Sequence, residues 1–252
     1  MGLPQVFVEG DTEKNVVIHL MERQLSINLD PGWKKRLRER KGGKAQVIKA
    51  IRNELGPELG AAPVRCLVMR DLDEDEGESL GSIRQSVAET VRRLFEERGF
   101  ATMPSLAVHP DYANVFTWQS DEPDLRLALH VAYYPSVPGL SQRFTKSTTD
   151  DYVLALALHP RTAARLLQGI GLERVGETAL AEKVRREVPE LLRRNGIRMR
   201  EAKDYVRIYL ATVRLGMSPA VFAGKLLSLA DDEEIRRVFA PLIAALQFVA
   251  EA

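Results

Sequence analysis

Cysteine is nearly absent from this 252-residue chain: Cys66 is the only one. One thiol excludes an intrachain disulfide framework, and its place in an apolar run predicts a small core residue. His19, His109, His130 and His159 are scattered along the chain. With a single cysteine beside them, no zinc-ligand spacing exists, and all four are expected to be structural. Long hydrophobic runs are missing as well. No stretch reaches the roughly 18 apolar residues of a membrane span, and the N-terminus lacks a basic-apolar-cleavage pattern. The expectation is a soluble, cytoplasmic protein with no membrane partner. Net charge nearly vanishes, at +1, so a polyanion has to be met by local clusters rather than by the field of the whole molecule. The chain also lacks a G-x-x-x-x-G-K-[ST] phosphate loop and any Ser-His-Asp or Cys-His arrangement.

What is present suits a folded core: 45 % of residues are hydrophobic against 28 % charged, which argues against disorder. Residues 4–8 (P-Q-V-F-V) read as a buried strand ending at Glu9-Gly10. A helix follows, capped by Asp11 or Thr12, with Val16, Val17, Leu20 and Met21 on one face. Residues 33–40 read as either an exposed edge strand or a helix. Gly42-Gly43-Lys44 breaks the chain before a helix carrying Val47, Ile48, Ile51 and Leu55, stopped by Gly56-Pro57. Residues 64–70 (V-R-C-L-V-M-R) form the clearest buried strand. A long helix follows, with Ile83, Val87, Val91 and Leu94 as its stripe, and then strand candidates at 104–109, 114–118 and 125–133. This alternation predicts an α/β body at 1–147, with a mostly parallel sheet flanked by helices. From 148 the pattern is helical, at 149–168, 176–195, 200–215, 218–229 and 231–250. No linker rich in Pro, Gly or Ser separates the halves, so they are expected to pack together.

The carboxylates carry the chemistry. Glu9 follows the first strand directly, Asp71 follows the strand at 64–70, and Asp73 lies two residues on. In a parallel α/β sheet such strand ends converge on one edge. Mg²⁺ and Mn²⁺ prefer oxygen donors, and phosphate oxygens complete their shell. Glu13 lies four residues after Glu9 within reach of the same space, and Asp75, Glu76 and Glu78 add negative charge. The competing structural explanations are a helix dipole, which alone favours acidic residues at Glu13 and Glu78, and a solvated acidic loop over 73–78. Glu9 and Asp71 resist both, because each emerges from an apolar strand.

At these residues the chain resembles a known family. V-E-G-D-T-E-K (Val8 to Lys14) resembles the V-E-G-x-[TS]-[DE] signature of Toprim domains, Gly42-Gly43-Lys44 their G-G-K turn, and Asp71-Leu72-Asp73 their D-x-D motif. Downstream, A-K-D-Y-V-R-I-Y-L-A-T from Ala202, followed by Met217-Ser218-Pro219, is similar to the C-terminal part of small stand-alone Toprim proteins of the OLD (overcoming lysogenisation defect) group. Asp150-Asp151 resembles an acidic helix start in the same group. The resemblance implies a Toprim-like fold and a nuclease that hydrolyses phosphodiesters of DNA or RNA with Mg²⁺ or Mn²⁺, two ions in all. It implies Glu9 as general base or metal ligand, Asp71 and Asp73 as ligands, Glu13 and Asp75 as further ligands, and Lys203 as an electrostatic stabiliser. Two departures stand out: the charged stretch 33–40 occupies the place of the family's second strand, and Arg70 sits where an apolar or small residue is usual.

Basic clusters supply candidate nucleic-acid contacts. Arg40, Lys41 and Lys44 flank the Gly-Gly turn, with Lys34, Lys35, Arg36 and Arg38 upstream and Lys146 as a weaker candidate. A second set comprises Arg185, Arg186, Arg193, Arg194, Arg198 and Arg200. A solvated helix face is the ordinary explanation of such clusters. Two other functions compete. One is a module, as a homo-oligomer or with a protein partner, that binds nucleic acid or regulates a partner without catalysis. The other is a haloacid-dehalogenase-like phosphatase, disfavoured because the D-L-D strand is not the first and Asp75 stands where Thr or Val is usual.

Overall fold

The computed structural model describes residues 3–140 and 143–251. The first half runs β1 (Gln5–Phe7), α1 (Asp11–Arg23), α2 (Pro31–Glu39) and α3 (Lys44–Ala50), then a π-turn at Ile51–Leu55 and α4 (Gly56–Glu58). It continues through β2 (Val64–Arg70), β3 (Leu72–Asp73), α5 (Leu80–Arg98), β4 (Ala107–Val108), β5 (Val115–Asp121), β6 (Asp124–Val131) and β7 (Lys146–Ser147). The second half is helical: α6 (Thr149–Ala157), α7 (Pro160–Gly169), α8 (Glu177–Glu182), a π-turn at Lys183–Glu187, α9 (Val188–Arg194), α10 (Ala202–Thr212), α11 (Pro219–Leu229), α12 (Asp232–Val238) and α13 (Ala240–Ala250).

The protein is α/β, with a mixed five-stranded sheet in the order β1-β2-β6-β5-β4. Strands β1, β2 and β6 are parallel, while β5 and β4 add antiparallel to the far side. Both faces of the sheet are buried, which is why 64–70 reads as an almost unbroken apolar run. Cys66 and Val68 point into a core shared with α3, its π-turn and α5; Leu67 and Met69 point into a larger core built with α1, α6, α10, α11 and α13. The helical half thus covers one face of the sheet, and Cys66 is buried as expected.

The stretch at 33–40, read as either an edge strand or a helix, is a helix, and several other elements differ from the sequence reading. Asp30 caps α2 by accepting from the Trp33 amide, Pro31 occupies the first turn, and Trp33 and Leu37, four apart, are its buried residues. Neither Asp11 nor Thr12 caps α1; Gly10 is the N-cap, in extended backbone. Gly56-Pro57 does not end the third helix, which continues through its π-turn to Glu58. The strand expected at 104–109 shrinks to Ala107–Val108. Prolines split two of the long helical segments: Pro160 opens α7 after α6, and Pro241 lies in the first turn of α13 after α12.

Candidate active site

Phe7 pairs with Val68 in the parallel β1–β2 ladder, so the two strands end side by side. Glu9 and Asp71 leave the sheet there, and the Asp71 amide donates to Glu9 Oε1 at 3.2 Å. Beyond them lies a polar pocket of about 180 Å³ lined by Glu9, Glu13, Asp71 and Asp150, by Lys146 and Lys203, and by Thr12, Thr148 and Glu201. The N-terminal turns of α1, α6 and α10 all supply lining residues. Free amides at such termini leave this end of each helix partially positive.

Local sequence explains each placement. At Gly10 a Cβ would stand 2.7 Å from Glu13 Oε2, so the glutamate folds back over a bare backbone and would have to shift for any side chain there. Gly42 serves Glu9 in the same way. A Cβ at Gly42 would lie 2.2 Å from the Glu9 carbonyl oxygen, which accepts from the Gly43 amide at 2.7 Å. The Gly-Gly-Lys turn is therefore packed on the backbone of the candidate catalytic glutamate. Thr148 and Asp151 form a capping box that starts α6 and sets Asp150 at the pocket, where it accepts from Thr12 Oγ1 at 3.4 Å. The short ribbon of β3 and β7 pairs Asp73 with Lys146, which carries Lys146 to the pocket wall and 3.5 Å from Glu201.

The carboxylates repel one another in a poorly hydrated space. Burial, with help from Asp150 and Glu9, pushes Glu13 up to about 7. Burial and the neighbouring Glu13 and Glu9 raise Asp71 well above the usual carboxylate range, against the pull of Lys146. Asp150 is raised by burial, partly offset by Lys203. Lys146 is raised too: its own partial burial opposes this, but Glu201, Asp71 and Asp73 together outweigh it. Glu9 differs from the other acids. Its Oε1 accepts from Arg70 Nε, and Arg70 also reaches Glu78 at 3.1 Å.

Among the described residues, no three His, Cys, Asp or Glu side chains stand in a metal-holding arrangement. Two causes are visible. Arg70 engages Glu9, and the Glu13 carboxylate lies over Gly10. The donor chemistry nonetheless fits a hard divalent cation: six carboxylates line the pocket, and burial raises three of them, Glu13, Asp71 and Asp150.

Of the residues expected from sequence, Glu9, Glu13, Asp71 and Lys203 come together at this pocket. Asp73 and Asp75 do not line it. The Asp73 side chain accepts from the Glu76 amide and caps a 3₁₀ turn, and Asp75 accepts from Thr145 at 2.8 Å. Lys44 bridges Glu76 at 2.6 Å and Glu78 at 3.1 Å. Arg40 pairs with Glu54, stacks 4.3 Å over the Phe7 ring, and lines with Lys41 a separate pocket of about 210 Å³. Arg70 and Glu201 were not singled out as site residues. An arginine closing an apolar strand was the available signal for the first; nothing local marks the second.

No family model matches the chain, and no curated protein does. Its fold is similar to that of a hypothetical protein from Pyrococcus horikoshii OT3, seen in a crystal structure. The TM-score is 0.53 at 14 % identity, over 98 % of this chain and 99 % of that one. That likeness concerns the fold alone.

Proposed function

We propose that the protein is a divalent-metal-dependent nuclease of Toprim type, hydrolysing phosphodiesters in DNA or RNA at the pocket between the ends of β1 and β2 and the starts of α1, α6 and α10. The supporting observation is the meeting of Glu9, Glu13, Asp71 and Asp150 with Lys146 and Lys203 in one partly closed space. Glu13, Asp71 and Asp150 would hold Mg²⁺ or Mn²⁺ with Glu9, supplying Lewis acidity and an activated water. Lys203 and Lys146 lie where negative charge on phosphoryl oxygens needs to be offset. The helix N-termini favour the same anion. Glu9, oriented by Arg70 and by the Asp71 amide, would accept the proton.

One observation favours the rival reading of a non-catalytic module: Arg70 already neutralises Glu9. A direct assay separates the two. Supercoiled plasmid, linear DNA and structured RNA are each incubated with Mg²⁺ or Mn²⁺ and wild type, Asp71→Asn, Glu9→Gln or Lys203→Ala. Metal-dependent cleavage lost in Asp71→Asn supports the nuclease. Cleavage that survives both carboxylate substitutions sinks the site assignment, and no cleavage together with no metal uptake by calorimetry supports the module.

A further inference from the structure

A second concave site lies on the other side of α10. Its volume is about 370 Å³, and Arg185, Arg186, Arg193 and Arg198 line it, with Glu190 as the only acidic lining residue. Glu190 is 3.8 Å from Arg194, outside the lining, and Arg186 pairs with Glu182. Among the described residues, no acidic side chain pairs with Arg185, Arg193 or Arg198. Arg185 is set in place rather than loose. The π-turn Lys183–Glu187 carries it, its guanidinium lies against Gly139, where a Cβ would stand 2.7 Å away, and its Nε has no hydrogen-bond partner. A π-turn inside a helix re-aims side chains and recurs at functional sites. Leu140, Ile197 and Tyr205 give the same pocket apolar and aromatic surface. Lys203 and Tyr205 sit two residues apart on α10, so they face different sides of it, one to each pocket.

We propose that this arginine pocket binds a phosphorylated nucleoside unit, with the phosphate on the arginines and the base or sugar on the Tyr205 side. As a unit of the strand being cut at the neighbouring carboxylates, it deepens the nuclease reading and rests on it; as an anion site it stands alone. Crowded guanidiniums repel unless an anion neutralises them, and their planar forks match phosphate oxygens in pairs. The test is fluorescence anisotropy of a short labelled single-stranded oligonucleotide, in EDTA so that nothing is cut. It compares wild type, the double variant Arg193→Ala with Arg198→Ala, and a charge-matched control, Arg161→Ala with Arg174→Ala. The pocket variant is expected to lose about tenfold in affinity, and its salt slope to fall by about 1.4, the loss of two phosphate contacts to a single strand. The control should bind as wild type does. Displacement by a nucleoside monophosphate supports the pocket with a free nucleotide as occupant; displacement by neither the monophosphate nor inorganic phosphate assigns it to a strand. Equal binding by the pocket variant and wild type, or an equal loss in the control, overturns the proposal. Intact binding with no metal-dependent cleavage overturns the nuclease reading alone.

Discussion

Two groups of acidic residues meet at the end of β2, and they are handled in opposite ways. On one side Glu9, Arg70, Glu78 and Lys44 form a chain in which each carboxylate has a cationic partner. On the other side Glu13, Asp71 and Asp150 line one pocket; burial raises all three, and repulsion from neighbouring carboxylates adds to it. The first group is complete within the protein. The second is costly as it stands, and a bound cation would relieve it. On the proposed reading, the ligand belongs with the second group.

Four experiments break or sharpen that contrast. Asp71→Asn removes a charge from the unpaired group while keeping its shape, and should lower metal-dependent cleavage by about a thousandfold, roughly 4 kcal/mol of barrier, with the melting temperature held or raised. Arg70→Met attacks the paired group. It leaves the half-buried Glu9 without its cation and should cost about 3 kcal/mol in urea unfolding; a loss under about 1 kcal/mol would mean that the chain of pairs is not what holds Glu9.

Glu13→Gln tests the unpaired group through pH. An unfolded Glu13 ionises near 4.5 and the folded one near 7, so the native carboxylate favours its proton. Its stabilising contribution is present below 4.5 and is lost as pH rises to 7. The glutamine variant should therefore match wild type at low pH, gain on it between 4.5 and 7 by on the order of 3 kcal/mol, and keep that lead above 7. Mg²⁺ at pH 8 should narrow the gap, read as a larger Tm rise in wild type. A gap independent of pH would remove Glu13 from the group. Smallest of all, Lys44→Ala at the exposed end of the paired chain should lower Tm by at most about 2 °C.

Half of this contrast was legible in the sequence. Glu9 and Asp71 follow apolar strands that belong side by side in a parallel sheet, so their meeting follows from pattern alone. Lys203 was reached through resemblance, and its neighbour Glu201 was not, because nothing in the local pattern shows that the start of α10 docks against the end of β2. Asp73 and Asp75 were expected with Asp71, yet a residue two positions along need not follow its neighbour. The chain turns into the β3–β7 ribbon, and Asp73 caps the turn after it. The charged stretch at 33–40 was ambiguous because two buried residues among nine, Trp33 and Leu37, leave a weak period. Asp30-Pro31 was the decisive helix signal.

The contact between Gly42 and the backbone of Glu9 bears on how tolerance to mutation would read along this chain. Gly42 has no functional group and lies on the surface, where substitutions are ordinarily harmless. Even alanine there would press on the carbonyl of residue 9 and shift the glutamate. A saturation scan scored on activity should therefore rank Gly42 with the carboxylates, while a scan scored on abundance should pass it over, and the gap between the two scores would separate positioning from chemistry one residue at a time.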